Sequence, residues 1–203
     1  QDWLDVVPVT TRTKQQFDRL RSALETFGWR DALICNGSIL LRDGVEDTAW
    51  REESIRISET SQSDYKKAYG FAAGLAGKNA VTAVEPFMFY VRTDQPELVF
   101  NALSAQAGHA ELTVLRDSQK VYCFPRHLNK GRAAERYMLR TGHKTYIAAG
   151  DSEFDIPMLQ NAAVSLCPER IAHYKPIGRM RVCSGLFSDE ICGELEQIRN
   201  EGL

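Results

Sequence analysis

Two carboxylates, Asp151 and Asp155, stand four residues apart in the stretch Tyr146-Ile-Ala-Ala-Gly-Asp-Ser-Glu-Phe-Asp-Ile-Pro-Met-Leu159. The apolar run 146–149 reads as a buried strand, and Gly150 breaks it. Open α/β sheets bind ligands at the C-terminal edge of their strands. Asp151 falls at that edge, and Asp155 falls in the turn that enters the next helix. Mg²⁺ takes oxygen ligands, commonly one or two carboxylates completed by phosphate oxygens and water. The pair therefore reads as half of a magnesium phosphate site. The same spacing fits a plain helix start, with Asp151 as N-cap and Asp155 on the surface.

Further groups suited to phosphate lie upstream. Val6-Val-Pro-Val-Thr-Thr-Arg12 is an apolar run ending in hydroxyls. A hydroxyl at a strand end, beside a helix N-terminus, can donate to a phosphate oxygen. Thr10 and Thr11 are the candidates, although threonine is equally at home in strands and at helix caps. Leu128-Asn-Lys-Gly-Arg-Ala-Ala134 puts Lys130 at a helix start, where most lysines are simply solvated. Asn36-Gly37, inside the apolar run 32–41, is a turn signal.

The elements that must position these groups alternate. A strand is expected over 6–10, then a helix over 14–27 with Phe17, Leu20, Leu24 and Phe27 on one face. Strands follow at 32–36 and 38–42. Residues 46–78 read as polar and then helical, with a helix over 63–76 ending at Gly77. A single long strand is expected over 81–91, a helix over 96–107, and a hairpin of 111–115 with 120–124. Helix 130–141, strand 144–149, helix 156–161, strand 163–167 and helix 188–201 complete the chain. The flanks alternate as a doubly wound parallel sheet requires, and the middle is α+β. The expected fold is thus α/β: a Rossmann-like doubly wound parallel sheet core of residues 1–42 and 126–203, with an inserted α+β cap domain over 43–125.

With the segments in this order, Gly150-Asp151-Ser152-Glu153-Phe154-Asp155-Ile156-Pro157-Met158-Leu159 resembles the fourth motif, GDSxNDxxML, of the haloacid dehalogenase superfamily of phosphatases. The resemblance is to its Cof-type and sucrose-phosphate-phosphatase-like branch. Phe154 stands where that branch usually has Asn. Val6–Arg12 resembles the second motif, a strand ending in TGR, with Thr11 in place of Gly. The Asn129-Lys130-Gly131 segment resembles the third motif, and 32–41 the branch's strand-and-turn leading toward the cap.

The resemblance implies a Mg²⁺-dependent phosphomonoester hydrolase working through an aspartyl-phosphate on a small phosphorylated metabolite, a sugar phosphate. It implies Asp151 and Asp155 at the metal, the second directly or through water. Thr10, Thr11 and Lys130 would contact phosphate, Thr10 and Lys130 holding the transferring group, with Ser152 and Arg12 in supporting positions. The superfamily's first motif, DxDxT, carries the nucleophile and does not occur in these 203 residues. It belongs upstream of the Thr10 strand, so the expectation is that Gln1 is not the biological start. A phosphomutase of the same superfamily, or a pseudo-phosphatase that binds without turnover, are the alternatives.

Composition excludes several other classes. Net charge is −2 and apolar residues make up 43%, which gives no electrostatic footprint for nucleic acid. No run is long enough to span a bilayer. The five cysteines are odd in number and form no CxxC, which argues against a disulfide framework or a zinc site and for a cytoplasmic setting.

Overall fold

Pro8 keeps the first strand short. Leu33 N donates to the Pro8 carbonyl and Thr10 N to the Leu33 carbonyl, both at 2.8 Å, so Val9 and Leu33 bridge in parallel. Proline has no N–H with which to extend such a ladder, and the strand expected over 6–10 is no more than this bridge. The computed structural model describes residues 4–20, 28–107 and 111–201. It divides into two compact units, Gln1–Asn129 and Lys130–Leu203.

In the first unit, Thr13 caps α1 (Lys14–Asp18) through a reciprocal box with Gln16. Residues 21–27 of the helix expected over 14–27 lie outside the described residues. Strands β1 (Asp31–Ile34), β2 (Ile39–Arg42) and β3 (Val45–Glu46) form an antiparallel sheet in that order. The strand expected over 32–36 stops at Ile34. Cys35 (φ 51°), Asn36 (φ 60°) and Gly37 (φ 88°) all turn left-handed there, a conformation that suits Asn and Gly best.

Asp47 then caps α2 (Thr48–Ser58), accepting from Trp50 N at 2.8 Å. The sequence reading missed this helix because its buried face is Trp50, Ser54 and Ser58, which carries little apolar periodicity. Trp50 is fully buried and its indole N–H donates to the Gly37 carbonyl at 3.1 Å.

Helix α3 (Gln62–Ala76) ends at Gly77, φ 83°. Next come β4 (Val81–Val84) and β5 (Met88–Arg92), paired antiparallel. The single strand expected over 81–91 is therefore a hairpin. Pro86 cannot donate to a ladder, and Phe87 N closes the turn on the Val84 carbonyl at 2.8 Å. Helix α4 (Pro96–Ala107), β6 (Leu112–Asp117) and β7 (Lys120–Pro125) follow, giving the sheet order β4-β5-β7-β6.

Both faces of the sheet's two central strands, β5 and β7, are buried. Phe89, Val91, Val121 and Cys123 meet Tyr65, Ala68 and Ala72 of α3 and Val99, Leu103 and Ala107 of α4. The alternate residues Tyr90 and Tyr122 point the other way and are also buried. There Gln16 Nε2 donates to the Tyr90 hydroxyl at 3.1 Å.

The second unit begins with α5 (Lys130–Thr141). Strand β8 (Ile147–Ala149), α6 (Ile156–Asn161), β9 (Val164–Pro168), β10 (Arg179–Cys183) and α7 (Phe187–Glu201) follow. The three strands are parallel in the order β10-β9-β8, and β10 was not expected because two of the five residues in its sequence, RMRVC, are arginines. Val164 and Leu166 of β9 pack with Cys183 and with Ile198 of α7. On the other face the Tyr174 hydroxyl bonds Ser165 Oγ at 3.0 Å. Helices α5 and α6 touch at Gly131, where a Cβ would lie 2.3 Å from the Pro157 carbonyl oxygen.

Among the described residues no helix is long and apolar enough to cross a membrane. Leu103 is fully buried at the centre of the helix-on-sheet cluster. Leu103→Ala is expected to lower unfolding free energy by about 2–5 kcal/mol, read from the urea midpoint at unchanged m-value.

Candidate active site

The loop after β8 folds around one carboxylate. Gly150 N continues the sheet to the Leu166 carbonyl at 3.1 Å. A Cβ on Gly150 would sit 2.4 Å from the Asp155 Cβ, so only glycine lets Asp155 tuck beneath the strand end. Asp155 Oδ2 accepts from Asp151 N at 3.1 Å, Ser152 N at 3.0 Å and Ser152 Oγ at 2.8 Å. The Ser152–Asp155 exchange is a capping box that opens the 3₁₀ turn Glu153–Asp155. The other oxygen, Oδ1, accepts from Lys130 Nζ at 2.5 Å.

This ion pair is buried, with the Lys130 side chain 7% and the Asp155 side chain 6% exposed. A buried pair is not itself a large source of stability. Removing one member, however, strands the other charge in a low-dielectric site, at a cost of about 3–5 kcal/mol. Phe154, where the resembled motif carries Asn, is buried and serves as an apolar anchor for the loop.

Asp151 is arranged in the opposite way. Its side chain is 64% exposed, at the C-terminal end of the parallel sheet. Arg170 Nη2 donates to its main-chain oxygen at 2.8 Å and to its Oδ2 at 3.2 Å. Two residues further on, Glu153 pairs with His173 at 3.5 Å. The helix-start alternative thus has its residues exchanged. Ser152 is the N-cap, Asp155 is the buried carboxylate, and Asp151 is the one facing solvent. The structure brings Lys130, Asp151, Ser152 and Asp155 together in Lys130–Leu203.

Thr10, Thr11 and Arg12 belong to Gln1–Asn129. Thr10 is held on both sides by backbone: its N–H donates to Leu33 O at 2.8 Å, and its carbonyl accepts from Asn36 N at 2.9 Å. Its half-buried hydroxyl accepts from Arg12 N at 3.2 Å. Thr11 hydrogen-bonds the Tyr122 side chain, which lowers a phenol pKa that burial raises. The Arg12 side chain is exposed, while its carbonyl accepts from Cys35 N at 2.9 Å. Burial pushes the Cys35 and Cys123 thiols up to about 12, so both stay protonated at neutral pH and are unsuited as nucleophiles.

The donor set can be weighed for a divalent cation. Among the described residues no group of three or more His, Cys, Asp or Glu converges. Both Asp155 oxygens are taken by protein donors. Asp151 offers an exposed carboxylate whose Oδ2 has only the one guanidinium contact. One carboxylate suits Mg²⁺, which keeps several waters and shares phosphate oxygens, and does not suit an all-protein cage.

The parallel sheet β10-β9-β8 with its helices and the separate α+β layer make an α/β fold with a Rossmann-like parallel core. Solved structures of that fold superpose on most of the chain. A sucrose-phosphatase from Synechocystis, solved with sucrose and phosphate, is 18% identical, with TM-score 0.67 over 97% of this chain and 84% of its own. A sugar phosphatase of haloacid dehalogenase subclass IIB is 12% identical, with TM-score 0.66 over 99% and 86%. The trehalose-6-phosphate phosphatase of Aspergillus fumigatus is 13% identical, with TM-score 0.51 over 96% and 78%. At these identities the likeness is one of fold. No family model and no curated protein matches the sequence.

Two contacts at the candidate site escaped the sequence reading: the Lys130–Asp155 pair and Arg170 on Asp151. Each joins segments far apart in the chain, 25 and 19 residues respectively, and no local pattern announces either.

The two aspartates should separate in unfolding experiments. Asp155→Asn leaves Lys130 without its buried anion and is expected to cost about 3 kcal/mol or more. Asp151→Asn removes one half of an exposed pair and is expected to cost under about 1 kcal/mol. Gly150→Ala, which forces Asp155 out of its seat, is expected to cost about 1–3 kcal/mol. Urea titration of the three variants reads all of these differences.

Proposed function

We propose that the protein is a phosphomonoester hydrolase of the haloacid dehalogenase type, acting with Mg²⁺ on a small sugar phosphate. The observation that carries this reading is the division of labour between two carboxylates in a GDSxxDxxML loop. One is buried and holds the loop and Lys130, and the other is exposed at the sheet edge where α/β folds take ligands. The names of three structural neighbours support a sugar phosphate: a sucrose-phosphatase, a sugar phosphatase and a trehalose-6-phosphate phosphatase.

In this reading Asp151 holds the cation, and Asp155 serves it indirectly by fixing the main chain at Asp151 and Ser152. Bound Mg²⁺ would neutralise charge on the phosphoryl oxygens. Lys130 gives one of its three N–H donors to Asp155, leaving two for the phosphoryl group. Thr10 and Thr11 keep the phosphate-binding roles, and Arg12 and Ser152 the supporting roles, that the sequence resemblance gives them. Residues 43–125 act as the cap, excluding water and selecting the leaving group, while 1–42 and 126–203 act as the core. The 203 residues themselves hold no DxDxT segment to supply the aspartate nucleophile that this reading calls for. The free cysteine thiols suit a reducing, cytoplasmic compartment.

The test is phosphate release by the purified full-length protein from a panel of sugar phosphates and other phosphomonoesters, with and without Mg²⁺. Turnover is expected only with the cation. Asp151→Asn, which spares the fold, should lower it about a hundredfold or more, the scale of losing one charge-stabilising group. Transfer to a second hydroxyl without free phosphate would make the protein a mutase. Binding of the ester without either product would make it a pseudo-phosphatase.

A further inference from the structure

Arg170 lies in the short 3₁₀ turn Glu169–Ile171 that follows β9. The segment around it is anchored. Ile171 is buried, and the Tyr174 hydroxyl, also buried, bonds Ser165 Oγ at 3.0 Å and approaches Cys167 Sγ at 3.6 Å. From this fixed base two basic side chains reach back to the loop after β8. Arg170 Nη2 takes both the main-chain oxygen and Oδ2 of Asp151, and His173 Nε2 stands 3.5 Å from Glu153 Oε2. The turn after one strand thus closes over the acidic residues after its neighbour.

We infer that Arg170 is a resident counter-ion for Asp151, with which a divalent cation competes for the carboxylate. This rests on the reading of Asp151 as the cation's ligand. An exposed, anchored guanidinium on that carboxylate weakens cation binding by competition. It also holds the charged loop in shape when no cation is there. The pair is 64% exposed on both sides, so its strength is modest and falls with salt. Arg170 therefore tunes affinity and does not block binding. Its effect should appear in the binding constant itself, independent of turnover.

The experiment is calorimetric titration of Mn²⁺ into the full-length protein and into Arg170→Gln, Arg170→Met and Asp151→Asn, at low and high ionic strength. Both Arg170 variants keep an unbranched stem on a solvent-facing side chain, and melting curves check that each is folded. The expected result is about two- to fivefold tighter Mn²⁺ binding in both Arg170 variants at low salt. The gap should narrow at high salt, and Asp151→Asn should lose the binding. If Asp151→Asn abolishes binding while neither Arg170 variant binds more tightly, the counter-ion inference is overturned and the Asp151 reading stands. If Asp151→Asn leaves the affinity unchanged, the Asp151 reading fails and takes the inference with it.

Discussion

Both oxygens of the Asp155 carboxylate are occupied by the protein, and much of the second unit follows from that. Three donors from Asp151 and Ser152 converge on one oxygen and the Lys130 ammonium on the other. An unpaired charge at this depth would be too costly to keep, so the two partners must be delivered together. Lys130 comes from the first turn of α5 and Asp155 from the start of α6, and the contact of these helices at Gly131 and Pro157 brings the two ends into register. The loop between β8 and α6 then has little freedom. Its backbone amides are spent inward, and Asp151 is left as the carboxylate turned outward.

A second constraint shapes the first unit. An antiparallel sheet normally keeps one face for solvent, but here the central strands β5 and β7 are buried on both faces. The helical layer takes one, through alanines 68 and 72 that let α3 approach closely. Near the other, Tyr90 and Tyr122 are met by Gln16 and Thr11. The segment that carries the Thr10–Arg12 hydroxyls and guanidinium is thereby stitched to the sheet that follows it by more than seventy residues, the Gln16–Tyr90 bond spanning 74.

Much of this was legible in the sequence where local periodicity and local chemistry agree. Helices 130–141 and 156–161 lie where the sequence reading put them, and the strand-Gly-Asp order placed Asp151 at the sheet edge. Legibility failed where the signal was diluted or non-local. Ser54 and Ser58 hid the inward face of α2, and the charged residues of β10 hid a strand. The β-branched run through 81–91 masked the break that Pro86 makes. The difference between two aspartates of identical chemistry came only from their partners, Lys130 and Arg170, and no pattern within a dozen residues encodes such pairings.

Gly131 and Gly150 flank the two ends of the site, and neither has space for one more carbon: the obstacle is the Pro157 carbonyl in one case and Asp155 itself in the other. Evolutionary drift at these positions is filtered by van der Waals contact before any chemistry is sampled. Were relatives to keep both glycines after losing Asp151 or Lys130, the persistence would record the geometry of a helix joint and a folded loop. Invariance there is therefore a poor marker of activity. Exchange at 151 or 170, where side chains stand largely in solvent, meets no such steric filter and would record the proposed chemistry more sensitively.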